Sequence, residues 1–276
     1  MLVNLKQIMD DALSNNYAVA CFNIFGYEDA LAVVRAAEDR NASVILSINL
    51  DMAKFMPFSH ICGMLRPLAE DANVPVCLHL DHHYDLEGVK KAIHSGFTSV
   101  MYDGSQLPIK ENVAGIQEVV AFAKQYDVSV EAEVGSVPYA TGRDHIKSVL
   151  TEVDEAMTMA KQGLPDVIAI SVGNIHRLEN EKVDINYQRY DELQAAIDIP
   201  LVIHGTSGIK EADIQKLSKS AVCKFNIGTC LRQRFGTTIR QALTDDPHLF
   251  DRLDLMNKAL PAVQEEAERM ITLLGQ

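Results

Sequence analysis

Eight short apolar runs, each followed by a stretch with helical spacing, recur along the 276-residue chain. The runs are Tyr17–Phe22, Ser43–Ser47, Val76–Leu80, Thr98–Met101, Val128–Val134, Val167–Ser171, Leu201–Ile203 and Val222–Ile227. Parallel strands need a crossover, usually a helix, to join them. A parallel sheet is buried on both faces, so its strands read as unbroken apolar runs. Eight such units without a compositional break predict an α/β fold, a (β/α)8 TIM barrel, as one domain over residues 1–276. A helix over Leu2–Leu13 is expected ahead of the first strand, and an amphipathic helix after Pro247 follows the last unit. Residues 135–149 form the one long polar connection, and loops of that length often cover active sites.

The charge balance narrows the partners. Against 25 basic side chains stand 38 acidic ones, giving a net charge of -13, which repels nucleic acid and anionic membranes at long range. An anionic small molecule must therefore be held by local donors. The five cysteines form no CxxC pair, and Cys21, Cys77 and Cys223 sit inside apolar runs as small core residues do. A reducing, cytoplasmic setting is expected. The N-terminus has no apolar signal region, and no apolar run approaches the ~20 residues a membrane span needs.

The third run carries most of the functional information. Val76-Cys77-Leu78-His79-Leu80 continues into Asp81-His82-His83, and ionisable groups at the end of a buried strand must each be desolvated and paired. In a barrel the carboxyl ends of all strands meet on one face, where the chemistry is carried. The other strand ends supply Asn23, Asp103, Glu133, His176, His204 and Asn226. His82, His176 and His204, from three strands and with Asp81 beside one of them, make a three-histidine metal site with an open position. Taken singly, each histidine reads better as a partner for a backbone carbonyl at the barrel rim. The set with Asp81, Asp103 and Glu133 favours the site. His79 and His83 are then supporting residues. After the last two strands stand Gly205-Thr206-Ser207-Gly208 and Asn226-Ile227-Gly228-Thr229. Exposed backbone N–H groups and helix N-termini bind phosphate, and these two loops are the usual phosphate position in barrels. Plain turn and cap chemistry is the alternative for each taken alone.

These stretches, with Gly96 to Ser105, Val128 to Gly135, Leu150 to Ala156 and Lys224 to Arg232, resemble the class II, zinc-dependent ketose-bisphosphate aldolases from end to end. The likeness is nearest to the shorter branch that contains tagatose-bisphosphate aldolase. It implies Zn2+ held by His82, His176 and His204, and allows for a monovalent cation as well. It makes Asp81 the proton-transfer residue at the C4 hydroxyl, and Asp103 and Glu133 a second or alternative metal position. It assigns the dihydroxyacetone phosphate end to Gly205, Thr206, Ser207, Asn226, Ile227, Gly228 and Thr229. Asn23 and Arg177 complete the expected substrate contacts. Cleaving the C3–C4 bond leaves an enediolate whose charge a zinc ion can hold as a Lewis acid. No lysine is needed for a Schiff base, and Lys224, inside the eighth strand, reads as structural. The partner is a phosphorylated sugar, and relatives are homodimers or homotetramers.

Three departures flank the substrate. The family has glycine after the second zinc histidine, where this chain has Arg177, which could close the phosphate pocket, turn outward or grip an additional anion. The loop after the fifth strand lacks the family's acidic segment and reads Gly135 to Asp144, so its proton-transfer role is vacant or taken by Tyr139 or Asp144. Asn49-Leu50-Asp51 replaces a Ser-Gly-Gly or Ser-Glu-Gly segment after the second strand. Arg177 and Arg143 suit a ketose with a non-standard aldehyde half, such as the sulfonated 6-deoxy-6-sulfofructose 1-phosphate. The alternatives are an ordinary tagatose- or fructose-bisphosphate aldolase, and a non-catalytic supporting subunit. A zinc-hydroxide hydrolase would have no need of the two phosphate-type loops.

Overall fold

The computed structural model describes residues 1–142, 145–179 and 182–276. Strand β1 (Leu2–Val3) opens the chain and a helix over Leu5–Asn15 follows. Then come β2 (Val19–Asn23), β3 (Val44–Ile48), β4 (Val76–His83), β5 (Ser99–Tyr102), β6 (Ser129–Val134), β7 (Val167–Ile170), β8 (Leu201–Ile203) and β9 (Val222–Ile227). Each of these pairs in parallel with its neighbour in sequence, and β9 returns to β2 through Val19↔Lys224 and Cys21↔Asn226. The eight strands β2–β9 thus close into a (β/α)8 barrel ringed by helices. The last helix, Arg252–Leu273, packs on the helix over Tyr27–Arg40 and on Thr229–Asp245.

The expected helix over Leu2–Leu13 is corrected at its start. Leu2 and Val3 pair with Val76 and Cys77 of β4 instead. The reason is geometric: β5 begins only at Ser99, opposite His79, so the lower flank of β4 would be left with unpaired backbone. The helix then starts after Asn4, whose side chain accepts from Gln7 N–H while the Gln7 side chain returns a bond to the Asn4 N–H. Asn16, in the left-handed region at φ 57°, ends it. Its buried face, Leu5, Ile8, Met9 and Ala12, closes the barrel floor against Val19, Cys21, Ile45, Cys77, Val167, Ala169, Val202 and Cys223.

Alternation along the strands builds upward from that floor. Successive side chains point to opposite faces, so Cys21 and Asn23, Cys77 and Asp81, or Glu131 and Glu133 share the interior. Apolar residues fill the lowest layer, His79, Glu131 and Lys224 lie above it, and the polar strand ends form the top. The outward residues join the surrounding helices in a separate, larger apolar cluster. All five cysteines are free, and no helix among the described residues is long and apolar enough to cross a membrane.

Candidate active site and metal centre

Asp81 and His82 are adjacent in β4, yet both line one pocket at the carboxyl end of the barrel. A regular strand would send one of them outward. The β4–β5 register shifts between Leu80 and His83, and His82 has φ 39°, an uncommon region for a residue with a Cβ. The His82 N–H is consequently directed to Met101 Sδ at 3.4 Å, not to a ladder carbonyl. Asp81, 4% exposed, accepts from Asn23 Nδ2 at 3.2 Å on one oxygen and from Asn226 Nδ2 at 3.0 Å on the other. Burial alone would raise its pKa, but the nearby His82 and Lys224 charges hold it below the usual carboxylate value.

The three histidines from separate strands do converge. The ligand atoms of His82, His176 and His204 lie within 4.8 Å of one another, and those of His82, Asp103 and Glu133 do the same. His204 Nε2 meets Glu131 Oε1 at 2.9 Å, which leaves Nδ1 to face His82 Nε2 at 2.8 Å. On its other side His82 Nδ1 meets Asp103 Oδ2 at 2.8 Å, with Glu133 Oε2 at 3.6 Å. Burial pulls the His82 pKa down, but Asp81 and Asp103 outweigh it and push it up to about 9, so a cation bound there would have to displace that proton. Burial also lowers His176 and His204 well below the ordinary histidine value, keeping them neutral as metal ligands must be. Asp103 is the converse: burial would raise it, but His82 brings it down to about 2.

Two buried atoms in these sets, His176 Nε2 and Glu133 Oε2, have no hydrogen-bond partner among the described residues. Burying such an atom without a partner costs about 1–3 kcal/mol, so an orphaned ligand atom in each set fits a cation between them. The donors, imidazole nitrogens and carboxylate oxygens, suit a divalent first-row metal. His79 bonds Ser99 Oγ at 2.8 Å and His83 lies 3.2 Å from Asp85, and neither belongs to the converging sets.

The phosphate-type loops border the same pocket. Gly205 is at φ 68°, and a Cβ there would sit 2.5 Å from Ile175 O, so the loop after β8 can approach the loop after β7 only as glycine. Thr206 Oγ1 bonds Asn226 O at 2.7 Å, tying the two glycine-bearing loops together. Gly228 precedes the helix Thr229–Asp245, whose N-terminus therefore opens at the pocket. Asn23, Gly205, Thr206, Ser207, Asn226, Gly228 and Thr229 all line it. Ile227 does not: it is an outward position of β9, its side chain in the outer core.

Arg177 turns across the mouth. It is another left-handed residue, at φ 56°, and its Nη2 reaches Asp51 Oδ2 at 2.6 Å. Asp51 follows β3, on the far side of the barrel from β7, in a short helix Leu50–Phe55 capped by Asn49. The Arg177 guanidinium lies 5.4 Å from the Tyr139 ring centroid, and Tyr139 stacks on His176 at 4.3 Å. Asn49, in the segment expected to flank the substrate, and Arg232, to which no role was assigned, also line the pocket. Arg232 had a signal, one helical turn beyond Thr229 at a loop already assigned to an anion. Arg143 and Asp144 lie outside the described residues.

Residues 3–276 match the family described as fructose-bisphosphate aldolase class-II. The chain belongs to that family. Among solved structures, this aldolase is similar to the YdjI aldolase from Escherichia coli K12 at 29% identity and TM-score 0.88, covering 100% of this chain and 98% of that one. It shares its fold with fructose-bisphosphate aldolase (Fba) from Campylobacter jejuni at 21% identity and TM-score 0.84, over 99% and 95% of the two chains. This class II aldolase is thus a carbon–carbon lyase, of a family that uses a divalent metal, and its two converging sets are groups able to hold one.

Proposed function

We propose that this aldolase reversibly cleaves a phosphorylated ketose to dihydroxyacetone phosphate and an aldehyde, with Zn2+ held by His82, His176 and His204. The carrying observation is the convergence of those three imidazoles beside a carboxylate, Asp81, held on both oxygens by Asn23 and Asn226. When bound, the cation supplies Lewis-acid stabilisation of the negative charge that develops on the ketose oxygen. Asp81 takes the C4 hydroxyl proton in cleavage and returns it in condensation. Its two amide partners are donors, which keeps the carboxylate an acceptor facing the pocket. The N–H groups of Gly205 to Ser207 and of Gly228 and Thr229 bind the phosphate end and fix the carbon chain in register. Asp103 and Glu133 form the second or alternative metal position.

Arg177 and Arg232 border the same pocket, and two guanidinium groups favour an anionic aldehyde half. A sulfonated ketose phosphate meets that requirement, and so do the ordinary tagatose and fructose bisphosphates. A substrate panel, followed by coupled detection of dihydroxyacetone phosphate, separates them. Highest kcat/KM on a sulfonated ketose phosphate is the expected result; higher efficiency on fructose or tagatose bisphosphate removes the sulfonated reading. Activity should vanish with a zinc chelator and return on adding Zn2+. Cleavage that persists in metal-free protein would sink the metal assignment, and no cleavage of any ketose phosphate would leave a supporting subunit.

A further inference from the structure

Beneath the pocket the barrel holds a cation that the scheme above does not use. Lys224 of β9 is 0% exposed; its ammonium forms an ion pair with Glu131 Oε2 at 2.8 Å and donates a hydrogen bond to Asn226 Oδ1 at 2.6 Å. Each contact leads to a different half of the site. The other Glu131 oxygen holds His204 Nε2 at 2.9 Å. The other end of the Asn226 amide donates to Asp81 at 3.0 Å.

Both halves have an orientation problem that this ammonium solves. An asparagine amide can turn over, and the turned form would set its carbonyl against Asp81 and its NH2 against Lys224. With Lys224 on the carbonyl, only the form that donates to Asp81 is compatible. A histidine can carry its proton on either nitrogen. With Glu131 accepting at Nε2, the Nδ1 lone pair is left for the converging set. Packing does not require the charges: a buried ion pair can usually be replaced by apolar residues of similar volume without loss of stability.

We propose that Lys224 is a positioning residue of the aldol reaction, one buried ammonium that fixes the Asn226 amide and, through Glu131, the His204 tautomer, keeping the proton-transfer carboxylate and the metal-binding imidazole in register. This rests on the aldolase reading of the pocket. The strands support it, since alternation sets Lys224 and Asn226 on one interior face of β9 and Glu131 and Glu133 on one interior face of β6.

The deciding variant is Lys224→Met combined with Glu131→Gln, which removes both charges together and leaves neither uncompensated. It is compared with wild type at saturating Zn2+, with bound metal measured. The expected result is a folded, metal-loaded protein whose kcat falls about 10–100-fold while KM for the ketose phosphate stays within about threefold. Should that variant not fold, Lys224→Gln, which keeps a donor, is read in the same way. A folded, metal-loaded variant with wild-type kcat overturns the proposal, as does a kcat loss that added Zn2+ fully restores, since that leaves Asp81 undisturbed. If wild type cleaves no ketose phosphate, the functional reading has failed, and Zn2+ affinity tests the Lys224 contacts without activity. An affinity about 10–100-fold weaker in the double variant supports them, and an unchanged affinity overturns them.

Discussion

At the scale of single residues, this site depends on side chains that cannot be satisfied where they stand without one another. Asp81 is buried and held by two amides. Replacing it with asparagine should lower cleavage about 100- to 10,000-fold, as loss of a general base does, with bound metal unchanged by elemental analysis. Asp29 offers a test away from the chemistry. Burial pushes its carboxyl up to about 6, against a hydrogen bond from Phe25 N–H that works the other way. The raised folded-state value means its contribution is fully present below about pH 4 and is lost as pH rises through 6. Asp29→Asn should therefore match wild type in urea unfolding at pH 4 and exceed it at pH 8. Polar residues that end apolar runs were readable without coordinates, because chemistry rarely tolerates them there by accident. The reversed backbone at His82 was not, since nothing in His79-Leu80-Asp81-His82 announces a residue forced left-handed by a shifted ladder. Lys224 was readable only as a lysine inside a strand; what it touches depends on β6, far away in sequence.

At the scale of elements, periodicity located β2–β9 because a parallel strand buried on both faces leaves an unbroken apolar signature. It misplaced the chain start, where two residues are too few to show a period and where pairing is decided by the bare flank of β4. It also missed the helix Leu50–Phe55, whose only cue was the Asn49 cap. The helix over Leu5–Asn15 carries a stability role separable from catalysis. Ile8, 2% exposed in the floor cluster, should cost about 2–5 kcal/mol when cut to alanine, read as a lower urea midpoint. The variant's kcat at low temperature should remain that of wild type, since the floor lies at the opposite end of the barrel from the pocket. The loop after β6, expected as a cover, is tied down by bridges from Ser136 to Val149 and from Tyr139 to His176. Its inner part is thus a wall of the pocket.

At the scale of the molecule, the barrel gathers groups from the ends of all eight of its strands on a chain whose net charge is -13. Sequence order alone could say that they share a face, not which pairs touch, because contacts across the mouth such as Arg177 with Asp51 follow from closure of the whole ring. The assembled ligand groups link metal to global stability. Metal at about 100 times its Kd should add about 2.7 kcal/mol, raising Tm by roughly 5–10 °C in scanning calorimetry. The gain should disappear in His176→Ala.

His82 has a further consequence for metal content. Its Nε2 faces His204 and its Nδ1 faces Asp103, so the two ligand groups share this one ring. A neutral imidazole has a single lone pair to offer, and engaging both nitrogens would demand an imidazolate. The two berths are therefore rivals, and calorimetric titration of the purified chain should saturate at one equivalent of Zn2+, however much more is supplied.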